Sequence, residues 1–249
     1  MTDKKQRQGF SLTLKEVLQL DSSPVGISCI EDEHPDASLE KVRICRAFLK
    51  AATGRTLKVN RKNNACFGAA WHLGFQRLKG DSKLMNSVKK FVVEGEKLFS
   101  SHSALDKLIS QMEETPDNSN SCFLLAPLEK CENSPDLVMF VCNPEQACRL
   151  LSLSVFIDGV MPKIKIGGPT CRMALMYPLL TGELNISFYD YTARKMCNVE
   201  KDKLLVSIPY KRLPRLIESI DKCSAGRAKI EYPQEFRNFL TKSRQQSLD

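Results

Sequence analysis

Two stretches of this chain run through the same order of parts, and that order constrains the fold more than any other feature. The first reads PVGISCI (24–30), CRAFLKAATG (45–54), RTLKVNRKNNAC (55–66) and FGAAWHLGF (67–75). The second reads PDLVMFV (135–141), CRLLSLSVFIDG (148–159), VMPKIKIGGPTC (160–171) and RMALMYPLLTG (172–182). Each is a strand, a helix carrying Cys-Arg, a Gly stop, a basic strand, a turn of small residues, a Cys and a further helix. Cys45 then matches Cys148, and Cys66 matches Cys171, with spacings of 21 and 23 positions. The expectation is an α/β (or α+β) fold of two pseudo-repeated strand-helix-strand-helix halves packed as one unit. The halves span 23–121 and 122–230, after a helical lead (1–22) and before a tail (231–249). Together they form a single domain over about residues 20–230.

Local signals fill in the elements. Residues 1–9 read as a frayed polar start, and Phe10, Leu14, Val17 and Leu18 fall on one helical face. Ser38 is a candidate cap for a helix from about Leu39 to Ala52, stopped by Gly54. Arg55 to Val59 and Lys163 to Ile166 alternate as strands. A helix covers about 97–113, and ETPDNSNS (114–121) is the best linker. Phe123–Leu128, 135–142, Leu184–Tyr189 and Leu204–Ile208 read as strands. Pro144 opens a helix, Pro178 must distort another, and Gly182 ends that one.

Composition matters for what it excludes. At 42% hydrophobic and 27% charged, the chain is too apolar for disorder and too charged for a membrane protein. The first ten residues lack the apolar stretch of a signal peptide, so the expectation is a cytoplasmic protein whose ten cysteines are free thiols. The net charge of +8 is concentrated: residues 41–65 hold eight Lys or Arg and no acid, which equals the whole excess.

Charge and thiols meet at two helix starts. Cys66 and Cys171 each follow a turn and open a helix, where the dipole and unpaired N–H groups favour a thiolate and lower its pKa. Arg61, Lys62 and Arg172 push the same way. Cys45, beside Arg46 on the basic helix, reaches the same site if that helix packs under the turns. Three thiolates with an open position suit an iron–sulfur cluster or a soft metal. Against this stand the absence of any C-x-x-C pair, a supply of only three histidines, and the commoner role of Cys as a small buried hydrophobe. Cys29, Cys142, Cys148 and Cys197 are assigned to packing.

Other constellations are weaker. The basic window, with Asn64 in its turn, suits a small anionic ligand. It carries one aromatic, Phe48, so nucleic acid is disfavoured. Asn143, Glu145 and Gln146 follow a strand and open a helix, which suits a ligand contact but more commonly a cap. A homodimer is a further partner expectation, and a membrane is not. No phosphate loop, nucleophile elbow or dinucleotide fingerprint is present.

Several segments resemble domain-of-unknown-function family 169, the ArCR family of archaea and anaerobic bacteria. They are Pro24-Val25-Gly26, Cys45 with Leu49 and Gly54, Cys66-Phe67-Gly68-Ala69 with Leu73-Gly74, Ala126-Pro127-Leu128, and Pro135-Asp136. Asn143-Pro144-Glu145-Gln146-Ala147 with Arg149-Leu150 is the most specific, and Cys171 with Gly182 and Arg194 completes the set. Phe67 stands where the family usually has Pro or Ser, and Tyr191-Thr192-Ala193-Arg194 replaces a Gly-Ser-Arg. The resemblance implies no activity. It singles out Cys45, Cys66 and Cys171 from the ten cysteines and adds Arg194 to the candidate ligand contacts.

Overall fold

The computed structural model describes residues 3–33, 40–76, 83–234, 236 and 237. Helix α1 (Asp3–Leu18) leads to β1 (Val25–Glu31), α2 (Ile44–Ala52), β2 (Leu57–Asn60) and α3 (Phe67–His72). Then come α4 (Lys83–Lys90), which widens into a π-helical turn at Phe91–Gly95, α5 (His102–Ile109) and β3 (Ser121–Pro127). The rest is β4 (Leu137–Cys142), α6 (Pro144–Val155), a second π-helical turn at Arg172–Met176 running into α7 (Tyr177–Thr181), β5 (Asn185–Phe188), α8 (Tyr191–Cys197), β6 (Leu204–Pro209) and α9 (Leu213–Ser219). No helix among the described residues is long and apolar enough to cross a membrane.

The six strands form one antiparallel sheet in the order β2-β3-β1-β4-β6-β5. Helices cover both faces, so the fold is α+β in three layers. Strand alternation decides which side chain meets which layer. On β4, Leu137 and Met139 join one core with α2, α3 and the 171–176 turn. Val138, Phe140 and Cys142 join the other, with α1, α6 and α9. β6 divides in the same way, Leu205 against Leu204, Val206 and Ile208. This double burial is why LVMFVC reads as an unbroken apolar run rather than an alternating one.

The strand order reads alike outward from the central β1–β4 pair, as β1-β3-β2 one way and β4-β6-β5 the other. The helices do not follow it, since α2 packs in one core and α6 in the other. Residues 163–166, which the repeat needs as a strand, form none. There the buried Asn185 side chain serves as the backbone's partner. Its Oδ1 accepts from Lys165 N–H at 2.8 Å, and its Nδ2 donates to the carbonyls of Lys165 at 3.0 Å and Met173 at 2.8 Å.

Three further expectations change. The start of the chain is not frayed from Asp3 onward: Arg7 is 1% exposed and donates to the carbonyls of Cys131 and Glu132. The basic helix begins at Ile44 rather than near Leu39, because Arg43 is extended and Val42 bridges Asn64. The expected cap Ser38 lies outside the described residues. The expected boundary at 121 falls at the start of β3, which inserts between β1 and β2. The distortion near Pro178 is real: the π turn precedes it, and Gly182, at φ +69, ends the helix.

Candidate functional site

Three ties bring distant cysteines to one place. The first joins the Cys45 helix to the Cys66 turn. Val42 N–H donates to the Asn63 carbonyl at 3.0 Å and Ala65 N–H to the Val42 carbonyl at 2.9 Å. The asparagine-rich turn holds its own shape through side-chain bonds that mimic backbone turns. Asn60 Oδ1 accepts from the N–H groups of Lys62 and Asn63, and Asn63 Nδ2 donates to the carbonyls of Glu40 and Lys58. Asn64 spans the Cys66 backbone, donating to its carbonyl at 2.8 Å and accepting from its N–H at 3.3 Å.

The second tie fixes Cys171. Its neighbour Thr170 is fully buried and donates through N–H and Oγ1 to Asp190 Oδ2 at 2.8 and 2.7 Å. Asp190 N–H returns a bond to Thr170 Oγ1 at 2.8 Å, and Asp190 Oδ1 caps α8 by accepting from Ala193 N–H. The third tie runs from Arg46 on α2 to the carbonyl of Cys197 at the end of α8.

The result is a cavity of about 970 Å³ whose wall includes Cys45, Cys66, Cys171 and Cys197, with His72 and Asp190 beside them. All three cysteines singled out from the sequence are there. Cys197, assigned to packing, is a fourth. All ten cysteines are free. Among the described residues, no group of three or more His, Cys, Asp or Glu side chains is arranged to hold a metal ion.

The electrostatics of these thiols differ from the sequence expectation. Burial pushes the Cys171 thiol well above its ordinary pKa, and the nearby Cys66 and Asp190 add to that. Its backbone N–H partners at the helix start do lower it, as the dipole argument requires, but desolvation outweighs them. The Cys45 thiol rises well above its usual value for the same first reason, reinforced by Cys171, Asp190, Cys197 and Cys66. Cys197 is also raised by burial, against the pull of Arg46 and Arg43. These three are neutral thiols at ordinary pH. His72 is neutral too: burial, aided by the Arg172 charge, lowers its pKa to about 3. Tyr189 is 2% exposed, and its hydroxyl has no hydrogen-bond partner among the described residues. It lies close enough to Cys45 and Cys197 for their charged forms to oppose its own ionisation.

The other sequence candidates lie elsewhere. Arg61 and Lys62 are exposed and outside the cavity wall. Arg172 turns away, donating to Thr115 Oγ1 and the Glu113 carbonyl. Arg194 is a backbone staple, donating to the carbonyls of Tyr189, Glu200 and Lys203. Asn143 and Gln146 form a reciprocal capping box, and Gln146 Nε2 also reaches the Gln19 carbonyl on the α1 side of the sheet. Glu145 is exposed and faces Arg149. The basic window is partly neutralised by acids just upstream: Glu40 takes Lys50 and Arg55, and Asp32 takes Lys58.

The family model for uncharacterised ArCR, domain-of-unknown-function family 169, matches residues 13–219. The chain belongs to this family. No curated protein and no solved structure matches it. In this ArCR protein Phe67 and residues 191–193 both border the cavity. The first π turn does so as well, at Phe91 and Val92, and Cys171 lies just before the second. Such widened turns recur at functional sites because they displace one residue from the regular helix face.

Proposed function

We propose that this protein binds a soft metal ion or an iron–sulfur cluster through the thiolates of Cys45, Cys66 and Cys171, in a redox or sensing role, with Cys197 as a fourth thiol. The observation that carries the reading is the meeting of these side chains, from α2, the 60–66 turn, the 167–171 turn and α8, on one cavity wall. Soft sulfur donors select such cargo. The raised thiol pKa values fit a site that stays protonated and unreactive until a metal displaces the protons, so loading is favoured by higher pH. The unpartnered Tyr189 hydroxyl beside Cys45 and Cys197 is a donor available to a sulfur acceptor. Loading requires the four side chains to draw closer together, since they form no ready cage among the described residues.

Anaerobic purification with metal and acid-labile sulfide analysis tests this. The expected outcome is bound metal in the native chain, lost in Cys66→Ser and Cys171→Ser with unchanged circular dichroism. A colourless native protein that contains no metal and takes up neither zinc nor reconstituted iron and sulfide overturns the reading.

A further inference from the structure

The cavity is much larger than a metal ion needs. Its volume of about 970 Å³ stands at the upper end for sites that hold organic ligands and cofactors. Away from the thiols its wall is apolar, supplied by α4, the first π turn and α5 through residues such as Val88, Val92, Leu105, Leu108 and Ile109. The mouth is apolar too. Phe67 is 73% exposed, and Phe91, Phe188, Tyr191 and Met196 are also exposed there. So many large apolar side chains around one opening mark a binding site rather than scattered surface.

Charge narrows the ligand class. Of the ionised side chains in the wall, Lys89 is held by Asp106 at 2.6 Å, Glu96 accepts from Thr192 at 2.5 Å, and Asp190 accepts from Thr170 and Ala193. His72 is neutral. Arg43 is different: it is half-buried in the wall, and its guanidinium has no hydrogen-bond or ion-pair partner among the described residues. A half-buried guanidinium with free donors is a ready partner for a carboxylate, sulfonate or phosphate.

We propose that this chamber binds a largely apolar organic molecule bearing one anionic group, with its body between α4, the first π turn and α5 and its anionic group on Arg43. The inference does not depend on what the thiols hold.

Two naphthalene probes test it: 1-anilinonaphthalene-8-sulfonate, and N-phenyl-1-naphthylamine, which is the same ring system without the sulfonate. Trp71, the single tryptophan, is in the cavity wall and reports occupancy by quenching. The expected result is saturable binding of one sulfonate probe per chain with strong Trp71 quenching. Arg43→Gln should weaken the sulfonate probe about tenfold and leave the uncharged probe unchanged, since an Arg–anion hydrogen bond contributes that much. Val92→Phe should weaken both probes by filling the chamber. Non-saturable binding, binding without Trp71 quenching, or an Arg43→Gln variant that treats both probes as the native protein does would overturn the proposal. A native chain that is dimeric by sedimentation and takes neither probe would also overturn it and assign the apolar mouth to a second copy.

Discussion

His72 makes stability depend on pH in a window where few other groups titrate. An unfolded imidazole titrates near 6.5, whereas burial, with help from the Arg172 charge, holds the folded one at about 3. Below pH 6.5 the unfolded chain therefore binds a proton that the native chain refuses. A folded pKa set below the unfolded one gives stability that is complete above about 6.5 and is lost as pH falls. The slope is about 1.4 kcal/mol per pH unit until the folded group itself titrates. Between pH 6.5 and 4.5 this single residue should remove about 2 kcal/mol, a large share of the roughly 5–15 kcal/mol available to a typical domain. Burial raises the carboxyls of Glu113 and Glu129, but hydrogen bonds and nearby cations together outweigh it and hold both below their usual range, so their contribution begins only below that window. The assay is urea unfolding followed by circular dichroism at several pH values across the window. Native protein should lose stability steadily, and His72→Gln should be nearly flat. A variant whose stability falls in parallel with the native protein would refute the argument, because the proton uptake would then belong to another group.

Three other outcomes follow from named contacts. Asn143→Ala should cost about 1 kcal/mol of unfolding free energy by urea titration, the usual worth of a cap, while leaving metal content and probe binding intact. Gly74→Ala should cost more than about 2 kcal/mol in the same assay: Gly74 sits at φ +76, and a Cβ there would lie 2.2 Å from the Pro116 carbonyl oxygen. Arg172→Met should cost about 3 kcal/mol, since Arg172 is 1% exposed and pairs with Glu113. It should also raise the His72 pKa, readable by NMR titration of the imidazole, because one cause of the lowering is gone.

Much of the fold is legible in the sequence because local chemistry decides it. Pro144 after Asn143 opens α6, Gly182 closes α7, and the apolar run at 137–142 is a strand covered on both faces. What the sequence hides is settled by partners far along the chain. Nothing near Lys163–Ile166 announces that Asn185 will satisfy the backbone at Lys165, so a strand pattern there does not become a strand. Nothing near residue 121 announces that β3 will enter between β1 and β2. Charge misleads in the same way. The 41–65 window looks free because its acids, Asp32 and Glu40, lie just outside it.

The site divides along the same line. Cys66 and Cys171 are visible because turn residues precede each of them, and these turns do set the thiols at helix starts. Cys197 is not, since it ends a helix instead of beginning one and has no motif of its own. Its place on the wall comes from Arg46, 151 positions earlier, and from Asp190, which ties the start of α8 to Thr170. A helix-start argument also carries the wrong sign for Cys171 once the core closes over it. The dipole and the backbone donors act as expected, yet removing water opposes the charged form more strongly. Reading thiol chemistry from sequence thus requires the burial of the sulfur as much as its position on a helix. Burial is a property of the whole packing, in which Cys45, Cys171 and Cys197 each raise a neighbour's cost of ionising or bear it themselves.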